Sequence, residues 1–266
     1  MRRLGLVVEY DGTGYSGWQR QPGTPTVQAA LEDALAALVG APSRIVGAGR
    51  TDAGVHALGQ VAHTTVTSRL NAAQIRSGLN ALLPPDVVVR DAFEAADDFH
   101  ARRDARLRVY RYAVLARPRP SALLRRYAWH VPDPLDVEAM RDAGAALVGR
   151  HDFAAFRVSG TPTASTVCWV KVLRVEPRRD LVVVTVAADR FLRQMVRRIV
   201  GSLVQVGRGA MPPESLAALA AGPASRPAGP PAPPRGLYLV RVIYPPGRLE
   251  RRTLEGAPPD RQPGDG

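Results

Sequence analysis

Leu4, Leu6, Val8 and Tyr10 alternate with Gly5, Val7 and Glu9, the period of two expected of a strand, and the run ends in a turn-rich stretch from Asp11 to Gly17. Val27, Leu31, Leu35 and Leu38 then recur at helical spacing, with Thr26 placed to cap the start and Gly40 to stop the end. Strand-like runs follow near Ile45, from Gln60 to Val66 and from Val87 to Phe93, and between the last two lies a helix that Asn71 and Gln74 would open as a capping box. A second stretch repeats the plan. It has a strand from Arg106 to Leu115, a helix from about Asp136 to Val148 stopped by Gly149, strands over Val170–Val175 and Leu181–Ala187, and a long helix from about Phe191 to Val206. The Pro/Gly/Ala-rich segment Gly222–Gly236 reads as a surface loop, and Leu237–Tyr244 as a closing strand.

The pattern predicts an α+β protein of two related lobes, each a mainly antiparallel sheet with helices on one face and an active-site cleft between them. The expected boundaries are residues 1–104 for the first lobe, 105–246 for the second, and a polar, disordered tail over 247–266. No residue-level repeat demonstrates duplication.

Composition sharpens this picture only in part. The 266 residues carry 36 Lys and Arg against 24 Asp and Glu, a net charge of +12 with Lys171 the sole lysine. That balance favours a polyanionic partner, but an arginine-rich solvated surface explains it equally well. A single cysteine, Cys168, excludes an intrachain disulfide and a cysteine-based zinc site. No stretch approaches the roughly 18 apolar residues of a membrane span, and no signal-peptide core follows Arg2 and Arg3, so a soluble cytoplasmic protein is expected.

Several constellations invite chemistry. Gly12, Gly14 and Gly17 have the spacing of a dinucleotide fingerprint, but Pro22 and Gly23 follow where a helix should open, which favours a plain glycine-rich loop. His56, His63, His100, His130 and His151 lack metal-site spacing. In Gly47–His56, small residues surround Arg50 and Asp52: glycines admit a bulky ligand, and an arginine two residues away favours the charged carboxylate that a nucleophile or base needs. An ordinary Asp turn with a local ion pair fits as well.

On the strand from Arg106, one face carries Arg106, Arg108, Tyr110 and Tyr112, suited to phosphate contact and base stacking or, equally, to a solvated face with half-buried tyrosines. In the last long helix, Arg190, Arg193 and Arg197 make one face basic within an apolar run and call for an anion, a carboxylate such as Asp52 or RNA phosphate, while Arg198 points elsewhere to solvent.

Gly49-Arg50-Thr51-Asp52-Ala53-Gly54-Val55-His56 resembles the signature of the tRNA pseudouridine synthase A family. Glu9–Gly12 with Tyr15, Gly17–Gln21, Asp98–Arg102, Tyr110–Tyr112, Met195–Arg197 with Ile199–Gly201, and Gly236–Leu239 resemble family motifs in family order, over about residues 3 to 246. The resemblance implies an isomerase that converts uridine to pseudouridine at positions 38 to 40 of the tRNA anticodon stem-loop, as a homodimer, without cofactor or metal. It implies Asp52 as the catalytic nucleophile, Tyr110 stacked on the target base, Arg197 paired with Asp52, and Arg50 helping to expose the uridine. The chain departs from the family at Cys168, where arginine is usual, and at Ala154-Ala155, where a serine is usual near His151-Asp152-Phe153. Two rival readings are an RNA-binding protein without activity and a nucleotide-dependent enzyme built on the glycine-rich loop.

Overall fold

The computed structural model describes residues 1–158, 163–221 and 227–248, so the expected tail lies outside the described residues except for its first two positions. Among the described residues, ten strands form one sheet, which five α-helices accompany. The fold is α+β. Strands β1 (Arg2–Tyr10), β2 (Val46–Gly47), β3 (His56–Val66) and β4 (Val87–Glu94) come from the first hundred residues. The rest are β5 (Leu107–Ala116), β6 (Trp129–Val131), β7 (Gly149–Asp152), β8 (Val167–Arg178), β9 (Leu181–Ala188) and β10 (Leu237–Ile243). The helices are α1 (Val27–Val39), α2 (Ala72–Leu82), α3 (Val137–Ala145), α4 (Met195–Gly207) and α5 (Glu214–Ala220).

The order across the sheet is β4-β1-β3-β10-β5-β9-β8-β7, with β2 on β3 and β6 on β5. The closing strand thus joins the two halves: β10 runs parallel to β3 and antiparallel to β5. Its register puts Leu239 opposite Ala57 on one side and Tyr110 on the other. A strand about 240 residues into the chain therefore brings the segment just before β3 beside the middle of β5.

Local rules account for the helices. Thr26 Oγ1 accepts the Ala29 amide, and Gly40 closes α1 in the left-handed region at φ 74°, as expected for a glycine stop. Asn71 and Gln74 form a reciprocal capping box on α2. In α4, Met195, Val196, Ile199, Val200, Leu203 and Val204 are buried, a wide apolar stripe, and the helix packs on α3 and on the turn Ala154–Phe156.

Three sequence expectations are corrected. The long helix begins at Met195 instead of near Phe191, because Gln194 takes a left-handed backbone at φ 61° and breaks the run, which leaves Arg190 and Arg193 outside the helix. α3 ends at Ala145, ahead of the expected Val148. The described part of the expected surface loop, residues 227–236, is a packed strap: Ala228 and Ala232 are buried, and a Cβ on Gly201 of α4 would lie 1.9 Å from the Pro230 carbonyl oxygen.

Candidate active site

The loop from Gly47 to Val55 is held from below by polar groups that apolar periodicity does not register. Gln60 on β3 is fully buried, and its amide grips Gly49 twice, donating to the carbonyl at 2.6 Å and accepting the amide at 3.3 Å. Tyr10 and Thr51 share a hydrogen bond of 2.8 Å. Burial raises the Tyr10 pKa above its ordinary value.

The glycine-rich segment after β1 is the bed on which this loop lies. Gly17 has φ +96°, and a Cβ there would come within 2.6 Å of the Thr51 carbonyl oxygen, while one on Gly12 would come within 2.0 Å of the Val55 carbonyl oxygen. The Trp18 amide donates to Thr51 O at 3.1 Å, and the Gly54 amide to Tyr15 O at 3.2 Å. Gly12–Gly14 forms a single 3-10 turn, and the next α-helix begins only at Val27, so these glycines provide close backbone packing and no phosphate-binding helix opening.

Asp52 closes a tight turn in which its carbonyl accepts the Val55 amide. Its carboxylate meets Arg197 of α4, with Nη1 3.2 Å from Oδ2. The arginine side chain is only 12% exposed and that of Asp52 29%, so the pair has a buried side and an open side. Arg197 is fixed from behind by the strap: Nε donates to Ala232 O at 2.7 Å, and the Ala232 amide returns a bond of 2.9 Å to Arg197 O. A planar guanidinium gripped at Nε presents the remaining donors in a set direction, which a lysine ammonium cannot do.

Tyr110 is buried beside the same loop, its ring edge-on to Phe191 with centroids 5.1 Å apart. A Cβ on Gly49 would sit 3.7 Å from its hydroxyl, an ordinary van der Waals distance, which places the phenol against the loop. Burial foremost, and then the charge of Asp52, push the Tyr110 hydroxyl above its ordinary range.

Arg50 and Asp52 do not pair. Alternate residues of the turn diverge: the exposed Arg50 donates from Nε to Gln19 Oε1 at 3.0 Å, and the ion pair to Asp52 comes from Arg197. The Arg/Tyr strand face divides between open and enclosed side chains. Arg106 at its start is exposed, Arg108 is spent on the carbonyls of Ala48, Ala105, Asp189 and Arg102, and Tyr112 donates to Pro233 O at 2.7 Å. Arg193 is exposed, Arg190 donates to Thr163 Oγ1, and Arg198 faces the Ala228 and Gly229 carbonyls at 3.4 Å instead of solvent.

His56, at the end of the motif, ties three segments together. Its Nδ1 lies 3.1 Å from the Gly12 amide, and its Nε2 3.1 and 3.2 Å from the carbonyls of Arg126 and Arg235, with the Tyr238 ring stacked at 4.9 Å. Gln60, Tyr10, Gln19, His56 and Phe191 were not singled out from sequence as site residues. The usable signal for Gln60 is a lone glutamine beside the apolar pair Val61 and Ala62 in a strand-like run, a place where a polar amide calls for partners.

Cys168 is buried in β8, and burial pushes its thiol up to about 11. Ala154 and Ala155 lie in a short turn where Ala155 O accepts the Ala228 amide, tying that turn to the strap. Two surface depressions of about 730 and 670 Å³ flank Arg20 and α1, and Asp52 lines neither. Among the described residues no group of three or more His, Cys, Asp or Glu is placed to hold a metal, and no helix is long and apolar enough to cross a membrane.

The profile described as tRNA pseudouridine synthase matches residues 6–104 and 143–245. A tRNA pseudouridine synthase A of Syntrophotalea carbinolica is 49% identical over 241 residues, covering 91% of this chain and 96% of the relative. One of Myxococcus xanthus is 47% identical over 259 residues, covering 96% and 98%. One of Geobacter sulfurreducens is 44% identical over 244 residues, covering 92% and 100%. The loop around Asp52, the strand that carries Tyr110 and the helix that carries Arg197 all fall within or between the matched segments, and the chain belongs to the tRNA pseudouridine synthase family.

Proposed function

We propose that the chain isomerises uridine to pseudouridine at positions 38 to 40 of the tRNA anticodon stem-loop, with Asp52 as the nucleophilic carboxylate. The observation that carries this is the half-open Asp52 carboxylate, held by Arg197 beside Tyr110 in a protein of this family.

The reaction breaks the N1–C1′ bond and forms a C5–C1′ bond. The C5 proton leaves and N1 gains one, so atoms and electrons balance with no co-reactant. Asp52 attacks ribose C1′, attacks uracil C6, or assists removal of the C2′ proton, and each route requires a carboxylate in a set direction on the open side of its ion pair. Tyr110 offers a ring face to the extruded uracil. Its hydroxyl is protonated at neutral pH, as a phenol ordinarily is, and burial beside Asp52 pushes ionisation further away, so it is available as a donor and adds no charge beside Asp52. Arg50, exposed on the same loop, assists the base out of its stack, a step that costs a few kcal/mol.

The net charge of +12 suits an RNA substrate. The division into lobes 1–104 and 105–246, the homodimer and the cytoplasmic location complete the proposal. Pseudouridine mapping in tRNA from cells lacking this protein tests it: positions 38 to 40 should read as uridine, and restoring the wild-type gene but not Asp52→Ala should return the modification. Unchanged pseudouridine at all three positions would refute it. Binding of the stem-loop without isomerisation would favour the purely RNA-binding reading.

A further inference from the structure

We infer that Gln19 is a positioning residue for Arg50, oriented in turn by the buried Gln28. The inference rests on the role proposed for Arg50 in exposing the uridine.

Gln28 on α1 is 4% exposed, and both ends of its amide are engaged. Its Oε1 accepts the Arg20 backbone amide at 3.0 Å and Gln19 Nε2 at 2.7 Å. Its Nε2 donates to the Ile45 carbonyl at 3.0 Å and to Glu32 Oε1 at 2.8 Å, and that carboxylate oxygen also accepts the Ile45 amide at 2.9 Å. A backbone N–H can only donate and a carbonyl can only accept, so Arg20 and Ile45 determine which end of the Gln28 amide is oxygen. That oxygen accepts only a donor from Gln19. The Gln19 oxygen must then face the other way, where it receives Arg50 Nε at 3.0 Å.

The result is a relay of amide polarity from buried backbone groups to an exposed guanidinium. It restrains a side chain that otherwise carries large rotamer entropy. The neutral amide has a second consequence. It holds Nε without neutralising the guanidinium, and among the described residues neither Nη of Arg50 makes a hydrogen bond, so both remain for a phosphate or a base edge. A carboxylate at position 19 would pair with Arg50 and compete with RNA, while presenting an acceptor to Gln28 Oε1.

The test uses the full chain with an anticodon stem-loop carrying 2-aminopurine beside the target uridine. Its fluorescence rise in stopped flow reads unstacking, and single-turnover pseudouridine formation reads the chemistry. Gln19→Met keeps the side-chain length and deletes both bonds, and Gln28 Oε1 still has the Arg20 amide, so the thermal midpoint should be unchanged. Unstacking should slow roughly tenfold, the loss of one charge-assisted hydrogen bond. Gln19→Glu should slow it as well, and Gln19→Met in an Arg50→Ala background should add nothing. Wild-type unstacking in Gln19→Met with slow unstacking in Arg50→Ala overturns the inference and leaves the Arg50 role standing, as do effects of the two substitutions that multiply. Wild-type unstacking in Arg50→Ala overturns the Arg50 role and the inference with it.

Discussion

At the residue scale, direction matters as much as charge. Arg197 bridges Ala232 O and Asp52 with two different nitrogens, so Arg197→Lys should preserve the fold but lower the single-turnover rate at least tenfold, since one ammonium cannot serve both contacts. An unchanged rate would mean that charge alone suffices. Tyr110→Phe should retain stem-loop affinity and lose turnover, because the stacking face survives and the protonated hydroxyl does not. Unaltered single-turnover kinetics would make that hydroxyl dispensable.

His63 supplies a pH test. Burial first, then His100 and Arg3, lower its pKa to about 4, and its Nδ1 accepts the Ala101 amide. The unfolded chain therefore binds the proton more readily than the folded one. The contribution of His63 to stability is full above about pH 6.5 and is lost as the pH drops toward 4. Urea unfolding at pH 7.5 and 5 should show this loss, and His63→Gln should lessen it; equal slopes would assign the loss to other groups. Asp52, Tyr110 and Arg197 were legible because they stand in recognisable motifs. The partner of Arg50 was not, because spacing in sequence says nothing of divergence across a turn, and Gln19 lies 31 positions away.

At the element scale, the strap and α4 act as one unit. Gly201→Ala would drive a Cβ into the Pro230 carbonyl 1.9 Å away, two residues from the Ala232 group that holds Arg197. It should destabilise by about 1–3 kcal/mol and depress turnover further than the unfolded fraction explains. Gly209→Ala, where φ is +71° and nothing lies within 4 Å, should cost about 1 kcal/mol of backbone strain with turnover intact. Equal turnover in the two variants at matched folded fraction would detach the strap from catalysis. Caps made α1 and α2 readable, since Thr26, Gly40, Asn71 and Gln74 act locally. β6, β7 and α5, of three, four and seven residues, are too short for periodicity, and the strap was misread because proline-rich composition resembles an exposed loop even where tertiary contacts bury it.

At the scale of the whole molecule, β10 closes a sheet whose halves lie far apart in sequence, and this brings the Asp52 loop to Tyr110. The α+β class followed from strand and helix periods alone. The shared sheet did not, because pairing between β3 and β10 is a long-range choice that local patterning cannot express. With a net charge of +12, RNA affinity should fall linearly in logarithm with log salt, and a flat response would contradict phosphate contact.

The central claim concerns one carboxylate. Because C5 exchanges its hydrogen for the C1′ bond, tritium release from an anticodon stem-loop labelled with [5-³H]uridine reads the reaction directly. Wild-type protein should release the label, and Asp52→Ala should bind the same RNA and release none above background. Equal release from the two proteins would show that Asp52 is not the catalytic group.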